Sequence, residues 1–363
     1  MIVEPDPKAA IAWAGEHADE LATADRLPAE LVESSLASGL YRMCLAAELG
    51  GLATPLPTTV AVIEELSHAD GSLGWCTAVA NGCAGLLAGL PEAEARFVAR
   101  DPERLSVAGG FAPVGRAVLD GADRVLTGRW GFASGATSAT WFLGGAMLEE
   151  GPRVGFFPAG AGQVVDDWDV LGLRATGSHT VVAHDVRVPA ARWIQLFDRS
   201  TPSWSADPQA RVPFGANGML AAVALGIARR ALDELATLAV ERKPFGQQHV
   251  LAEDAPFQFD FGQAHARLEA ARHHLLDVQQ TVWDEAIAGA VRPRTEARTA
   301  LACGHAADTA LETVQFTHRN AGTAAIRGTG ALTRCLHDVM VATRHVALGR
   351  IPRTAAGRSL LGR

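Results

Sequence analysis

Between residues 128 and 141 the chain reads GRWGFASGATSATW, and here residue types and spacing first suggest chemistry. Trp130, Phe132, Trp141 and Phe142 stand among Gly, Ala, Ser and Thr, and no charged side chain follows Arg129 until Glu149. A period of two predicts a β-strand with one face packed. A solvated second face would carry Lys or Glu. This one carries small hydroxyls and methyls, a surface on which something flat can lie. Another part of the protein and a planar cofactor both satisfy that description, and the stretch alone leaves the two open.

The elements that must position it fall into three texture blocks. Up to about residue 104 the pattern is helical: LPAELVESSLASGLY (27–41) opens at Pro28 and carries Leu31, Leu36 and Leu40 on one stripe that ends near Gly39. PTTVAVIEELSHA (57–69) repeats the pattern with Val60, Ile63 and Leu66. Residues 105–200 turn to Gly-punctuated alternation, with strands expected in RLSVAGGFAP, AVLDGADRVLTGRWGFASG, TWFLGGAML, RVGFFPAG and TVVAHDVRVP, and a turn at Asp120–Gly121. From 201 to 363 the helical texture returns in four segments, 217–241, 253–289, 295–320 and 330–349. The first of them places Leu220, Val223, Ile227, Leu232 and Leu235 at helical spacing, the pattern of an antiparallel bundle. The expected fold class is α+β: an N-terminal α-helical domain (1–104), a middle β-domain (105–200) and a C-terminal four-helix bundle (201–363).

Composition narrows the function. The chain has 363 residues, 48% of them hydrophobic, enough for a large core. A net charge of −8 without a Lys/Arg cluster argues against nucleic acid or an anionic membrane as partner. The uncharged run LGWCTAVANGCAGLLAGL (73–90) is near the length of a membrane span, but Asn81, its glycines and the absence of basic flanks predict a helix buried in protein. Cys44, Cys76, Cys83, Cys303 and Cys335 are odd in number and lack metal-ligand spacing, so reduced, packed thiols in a cytoplasmic protein and no metal site are expected. The N-terminal MIVEPDPKAAIAWAGEH has no basic and apolar export pattern.

The block order together with IEELSHADGSLGW (63–75), GRWGFASG (128–135), LGLRATGSHTVVAHDVRVP (171–189), ERKPFGQQHVLAEDAPFQ (241–258) and LTRCLHDVMVATRH (332–345) resembles the acyl-CoA dehydrogenase superfamily over essentially the whole chain. That resemblance implies a flavin lying between the β-domain and the bundle, with the 128–141 stretch as the strand facing its ring. Phe132 would pack on the apolar edge of the ring, Ala133 would let the backbone approach, and Ser134 would offer its hydroxyl to the flavin N5. It also places Trp75, Phe111, Ala112, Arg174, Thr176, Ser178, Arg242, Phe245 and Gln258 among the cofactor contacts. Arg242 suits a pyrophosphate and Phe245 an adenine or dimethylbenzene surface. In this fold the Arg242 position reaches a neighbouring subunit's cofactor, which implies a homodimer or homotetramer.

A dehydrogenase of this superfamily needs a carboxylate to take the α-proton of a thioester. The two places where the family carries it correspond to PFGANGM (213–219) and to the tail VALGRIPRTAAGRSLLGR, and neither holds an acid. Asp233 and Glu234 lie on a helix face more simply read as solvated. His345 instead stands where the two-component flavin-dependent hydroxylases of this fold carry a histidine, and RTAAGRSLLG resembles their ending. The implied enzyme is a monooxygenase. It takes reduced FMN or FAD from a separate reductase, consistent with the absence of a Gly-x-Gly-x-x-Gly strand-to-helix motif, and uses O2 through a C4a-hydroperoxide to hydroxylate a small aromatic or natural-product substrate. Ser134 would oppose loss of hydrogen peroxide, and His345 would hydrogen-bond the peroxide or an acidic group of the substrate. Where many of these hydroxylases carry further histidines this chain has Ser138, Cys83 and Leu86, which departs from a phenol held by two histidines. An acyl-thioester desaturase and a non-catalytic flavin-binding protein are the alternatives on the same scaffold.

Overall fold

The computed structural model describes residues 4–196, 203–213, 218–326 and 330–362. The first helical block contains α1 (Lys8–Glu16), α2 (Ala18–Thr23), α3 (Ala29–Ala37), α4 (Leu56–Ala69), α5 (Gly71–Gly85) and α6 (Glu92–Val98). Pro28 precedes α3 as expected, and Leu31, Leu36, Leu40, Val60, Ile63 and Leu66 are all buried. The uncharged run forms α5 and a 3-10 turn at Leu86–Gly89, and nearly every side chain of α5 is inside the protein. Among the described residues no helix is long and apolar enough to cross a membrane.

Seven strands follow: β1 (Val107–Asp120), β2 (Asp123–Trp130), β3 (Trp141–Leu148), β4 (Gly151–Pro158), β5 (Gln163–Val165), β6 (Thr180–Pro189) and β7 (Trp193–Ile194). They make one sheet in the order β5-β6-β2-β1-β3-β4-β7, with β1 and β3 parallel and every other pair antiparallel. β1 and β2 join through a tight turn with Gly121 at φ 66°, next to the Asp120–Asp123 pair. The short edge strands β5 and β7 have too few residues to show alternation, and the sequence does not announce them.

The stretch 128–141 is not one strand. β2 stops at Trp130, residues 131–140 form a loop with a 3-10 turn at Ala136–Ser138, and β3 begins at Trp141. Alternating side chains mimic a strand, but Phe132 at φ 62° and Gly135 at φ 74° take left-handed backbone that no ladder accommodates. Part of the flat partner is the protein itself. Trp130 lies across the sheet, 2% exposed, and a Cβ at Gly110, Gly128 or Gly144 would fall 2.5–2.8 Å from its side chain. Its indole N–H donates to the carbonyl of Gly145 at 2.9 Å.

The last block contains α7 (Met219–Glu241), α8 (Ala255–Ile287), α9 (Pro293–Ala321), α10 (Ala331–Ala342) and α11 (Arg350–Leu360). The expected start of the first bundle helix at residue 217, and the expected boundary at 200/201, lie outside the described residues. The segment expected as helix over 330–349 ends at Ala342, where Thr343 turns its hydroxyl back onto Val339 O at 2.8 Å; α11 is a further short helix. Between the helical blocks the carboxylate of Glu64, on α4, is buried and receives Arg229 of α7 at 2.9 Å and Arg272 of α8 at 2.8 Å. Two guanidinium partners satisfy a charge that would otherwise be costly inside the protein, and they hold α4 against the bundle.

Candidate active site

Three segments far apart in sequence meet at Ser134. The first is α5, whose start is fixed by Asp70: Oδ1 accepts the N–H groups of Ser72 and Leu73 at 2.9 and 3.0 Å. This brings Trp75 to the loop after β2, where its indole N–H donates to Ser134 Oγ at 2.9 Å. The second is that loop, clamped on both sides of Ser134, with Ala133 N–H donating to His179 O at 3.1 Å and Gly135 N–H to Thr176 O at 2.8 Å. The third is the turn before β6. Ser134 Oγ lies 2.7 Å from Ser178 Oγ, Ser178 Oγ lies 2.7 Å from Thr176 Oγ1, and the Thr176 hydroxyl donates to Leu173 O at 2.7 Å. All of these hydroxyls are buried.

Phe132 goes the other way. Its left-handed backbone, which costs a non-glycine residue about 1 kcal/mol or more, turns the ring outward, 79% exposed, with Trp168 edge-on at 5.8 Å. His345 sits beyond α10 as the cap of a 3-10 turn, where Nδ1 accepts Ala347 N–H at 3.2 Å. Its ring meets Trp75 edge-to-face at 5.7 Å. Burial lowers its pKa below the usual imidazole value, so at neutral pH it is uncharged. With Nδ1 accepting, the hydrogen is on Nε2.

Sequence reasoning missed the support behind the third segment. Leu173 adopts φ 52°, and its N–H donates to Asp338 Oδ1 of α10 at 2.6 Å. Gly172 lies flush on the same helix, where a Cβ would fall 2.3 Å from the His337 carbonyl. Asp338 is buried, and burial, with Asp70 adding repulsion, pushes its pKa up to about 6. Asp70 Oδ2 is paired with Arg334 at 3.0 Å. One signal was available: Asp338 interrupts the apolar stripe of Leu332, Cys335, Val339 and Ala342 that α10 buries.

The remaining expected contacts divide. Phe111 and Ala112 lie where β1 leaves β3, between Gly110 and Gly115; Phe111 packs partly buried against the cluster of α5, α6 and β3, and Ala112 is exposed. Arg174 is half exposed, bonded to Val170 O at 3.3 Å and 3.7 Å from Asp169, outside the hydroxyl chain. Arg242, Phe245 and Gln258 form a separate group around the connection from α7 to α8. Arg242 donates to Asn320 O, Gln258 donates to Ala252 O at 2.8 Å, and Phe245 is completely exposed.

Other groups fall into structural roles. Asp233 pairs with His68 at 2.8 Å on the surface and Glu234 lies 3.7 Å from Arg230, in keeping with a solvated face. Of the neighbourhood 213–219, residues 214–217 lie outside the described residues. None of the five cysteines is in a disulfide, and burial pushes the thiols of Cys44, Cys83, Cys303 and Cys335 up to about 12, which leaves them inert. Among the described residues no group of three or more His, Cys, Asp or Glu is placed to hold a metal ion.

Comparison with known proteins places the fold in a family. The acyl-CoA dehydrogenase N-terminal domain matches residues 12–100 and the acyl-CoA dehydrogenase C-terminal domain residues 218–350. Indole-3-acetate monooxygenase of Pseudomonas putida is 30% identical over 343 residues, spanning 92% of this chain and 87% of that protein. The oxygenase component of FADH2-dependent resorcinol hydroxylase from a Rhizobium species is 28% identical over 93% of this chain and 89% of its own length. The structure of XiaF from a Streptomyces species, in complex with FADH2 and glycerol, superposes with a TM-score of 0.90 at 25% identity, covering 98% of this chain and 94% of the other. The chain belongs to the acyl-CoA dehydrogenase superfamily, in its branch of flavin-dependent monooxygenases. It is an oxygenase component that uses reduced flavin and O2 and depends on a separate reductase.

Proposed function

We propose that this chain hydroxylates a small aromatic molecule, with the flavin ring lying against Phe132 and its N5 edge at Ser134. The observation that carries the reading is the juxtaposition of Ser134, Trp75 and His345: one buried hydroxyl bonded to an indole N–H at 2.9 Å, with a neutral imidazole against the same indole. Bound reduced flavin supplies two electrons and activates O2. Ser134 orients the N5 edge, His345 Nε2–H donates to the substrate or to oxygen, and the apolar wall of α5 excludes water. The relatives' aromatic substrates, indole-3-acetate and resorcinol, support an aromatic class for this one.

On the same reading Ala133 gives close approach, and Thr176 and Ser178 stand behind Ser134. Arg242, Phe245 and Gln258 serve the flavin of a neighbouring copy in a cytoplasmic homodimer or homotetramer. Dehydrogenase chemistry on an acyl thioester needs a free carboxylate base, and among the described residues the buried Asp338 is engaged by Leu173 N–H. The test supplies the protein with reductase, NADH, FMN or FAD and 18O2, with indole-3-acetate, resorcinol and simple phenols as probes. One 18O atom is expected in the product. Quantitative conversion of O2 to hydrogen peroxide with every aromatic probe, together with anaerobic bleaching of bound oxidised flavin by an acyl-CoA, would overturn it.

A further inference from the structure

The four bonds from Leu173 to Trp75 have a direction that the distances dictate. The Leu173 carbonyl can only accept, and it receives both Thr176 N–H at 3.2 Å and the Thr176 hydroxyl at 2.7 Å. Thr176 then has no hydrogen left, so across the 2.7 Å contact Ser178 must donate to it. Ser178 is spent in turn, and Ser134 must donate across the next 2.7 Å contact. Trp75 Nε1 can only donate, so Ser134 accepts it at 2.9 Å. Reversing the chain would set the Thr176 and Leu173 oxygens 2.7 Å apart, buried, with no hydrogen between them. Ser134 is left with one lone pair and no free hydrogen.

We propose that Ser178 and Thr176 are positioning residues that make Ser134 an obligate acceptor, so that the protein favours flavin whose N5 carries a hydrogen over oxidised flavin whose N5 does not. The proposal rests on the reading that Ser134 faces N5. Reduced flavin presents N5–H to the spare lone pair; oxidised flavin presents a lone pair to a lone pair. The far end of the chain is anchored from α10, because Asp338 accepts Leu173 N–H at 2.6 Å and so fixes the residue whose carbonyl ends the chain.

Equilibrium binding of oxidised FMN and FAD and of their dithionite-reduced forms, measured anaerobically, tests this without turnover. The wild-type protein is expected to bind the reduced form more tightly. Ser178→Ala releases the Ser134 hydrogen, which can then turn toward an unprotonated N5. The preference should fall about tenfold, the scale of one hydrogen bond, mainly through tighter binding of the oxidised form. Thr176→Val should lower the preference in the same sense and Thr176→Ser, which keeps the hydroxyl, should retain it. This pair decides the matter if Ser178→Ala folds poorly. An unchanged ratio in both Ser178→Ala and Thr176→Val, with Ser134→Ala shifting it, would overturn the positioning role and leave the site reading intact. No change in either affinity for Ser134→Ala would instead remove Ser134 from N5 altogether, and with it the site reading.

Discussion

Ser134 is 7% exposed and bonded to side chains on two other segments, whereas Phe245, on the connection between α7 and α8, is fully exposed and touches none of them. The first region is complete within one chain: α5, the loop after β2, the turn before β6 and α10 each supply one link, and backbone clamps hold the loop on both sides. The second presents an aromatic ring to solvent at the end of an otherwise well-buried helix. An exposed Phe in a loop that also carries Arg242 gains nothing for the monomer, which is the ground for proposing its contact with a second copy. On the proposed reading, the contrast teaches that the site at Ser134 depends on folding of the monomer, and the contacts proposed for Arg242 and Phe245 on assembly.

The strongest way to break the first region is from beneath. Trp130→Ala empties the nest that the sheet glycines leave for the indole, and we expect a loss of about 3–5 kcal/mol, read as a large drop in melting temperature. A loss below about 1 kcal/mol would show that the loop after β2 does not depend on this packing.

A smaller effect is expected at Asp338. Asp338→Leu leaves Leu173 N–H buried without an acceptor, a cost of about 1–3 kcal/mol by denaturant unfolding. Asp338→Asn keeps an acceptor and removes the titration. Burial raises the folded pKa of the wild-type carboxyl from its ordinary value to about 6, so the stability it contributes is fully present below the unfolded value and lost as pH rises through about 6. The stability of Asp338→Asn relative to wild type should therefore improve between pH 4 and 6 and then level off; a difference flat across that range would contradict the buried carboxyl.

His345 has the opposite sign. Its folded pKa is lowered by burial, so its contribution is present above the ordinary imidazole pKa and declines as pH falls below it. In His345→Gln that acid-side decline should be weaker, and product formation should lose its acid limb. An unaltered pH profile would place His345 outside the reaction.

The smallest change in folding belongs to the second region. Phe245→Ala should alter monomer stability by less than about 0.5 kcal/mol. Sedimentation should nevertheless show weaker association, and flavin should be retained less well. If oligomeric state and flavin affinity both stay as in the wild type, the exposed ring has another purpose and the comparison loses its second half.

Much of this was legible in the sequence because it is written in local periods. Helix stripes such as Val60, Ile63 and Leu66, and five of the seven strands, follow from spacing of 3.6 or 2, and Pro28 and Gly121 mark their ends for stereochemical reasons. The same signal failed at 131–135, since alternation of side chains carries no record of the positive φ at Phe132. Trp75, Ser134, Ser178 and Thr176 were legible as candidate residues by resemblance. What they do to one another was not.

Residue order thus determined the helical, β and helical blocks, the apolar faces that fold them, and the supply of hydroxyls, an indole and an imidazole from which a site is made. Only the tertiary structure decided that Trp75 meets Ser134 across 59 positions, that Ser134 meets Ser178 across 44, and that Asp338 reaches Leu173 across 165. Hydrogen-bond direction is a property of the closed chain of donors and acceptors. It exists only once burial has removed water as an alternative partner and left each hydroxyl hydrogen a single place to go.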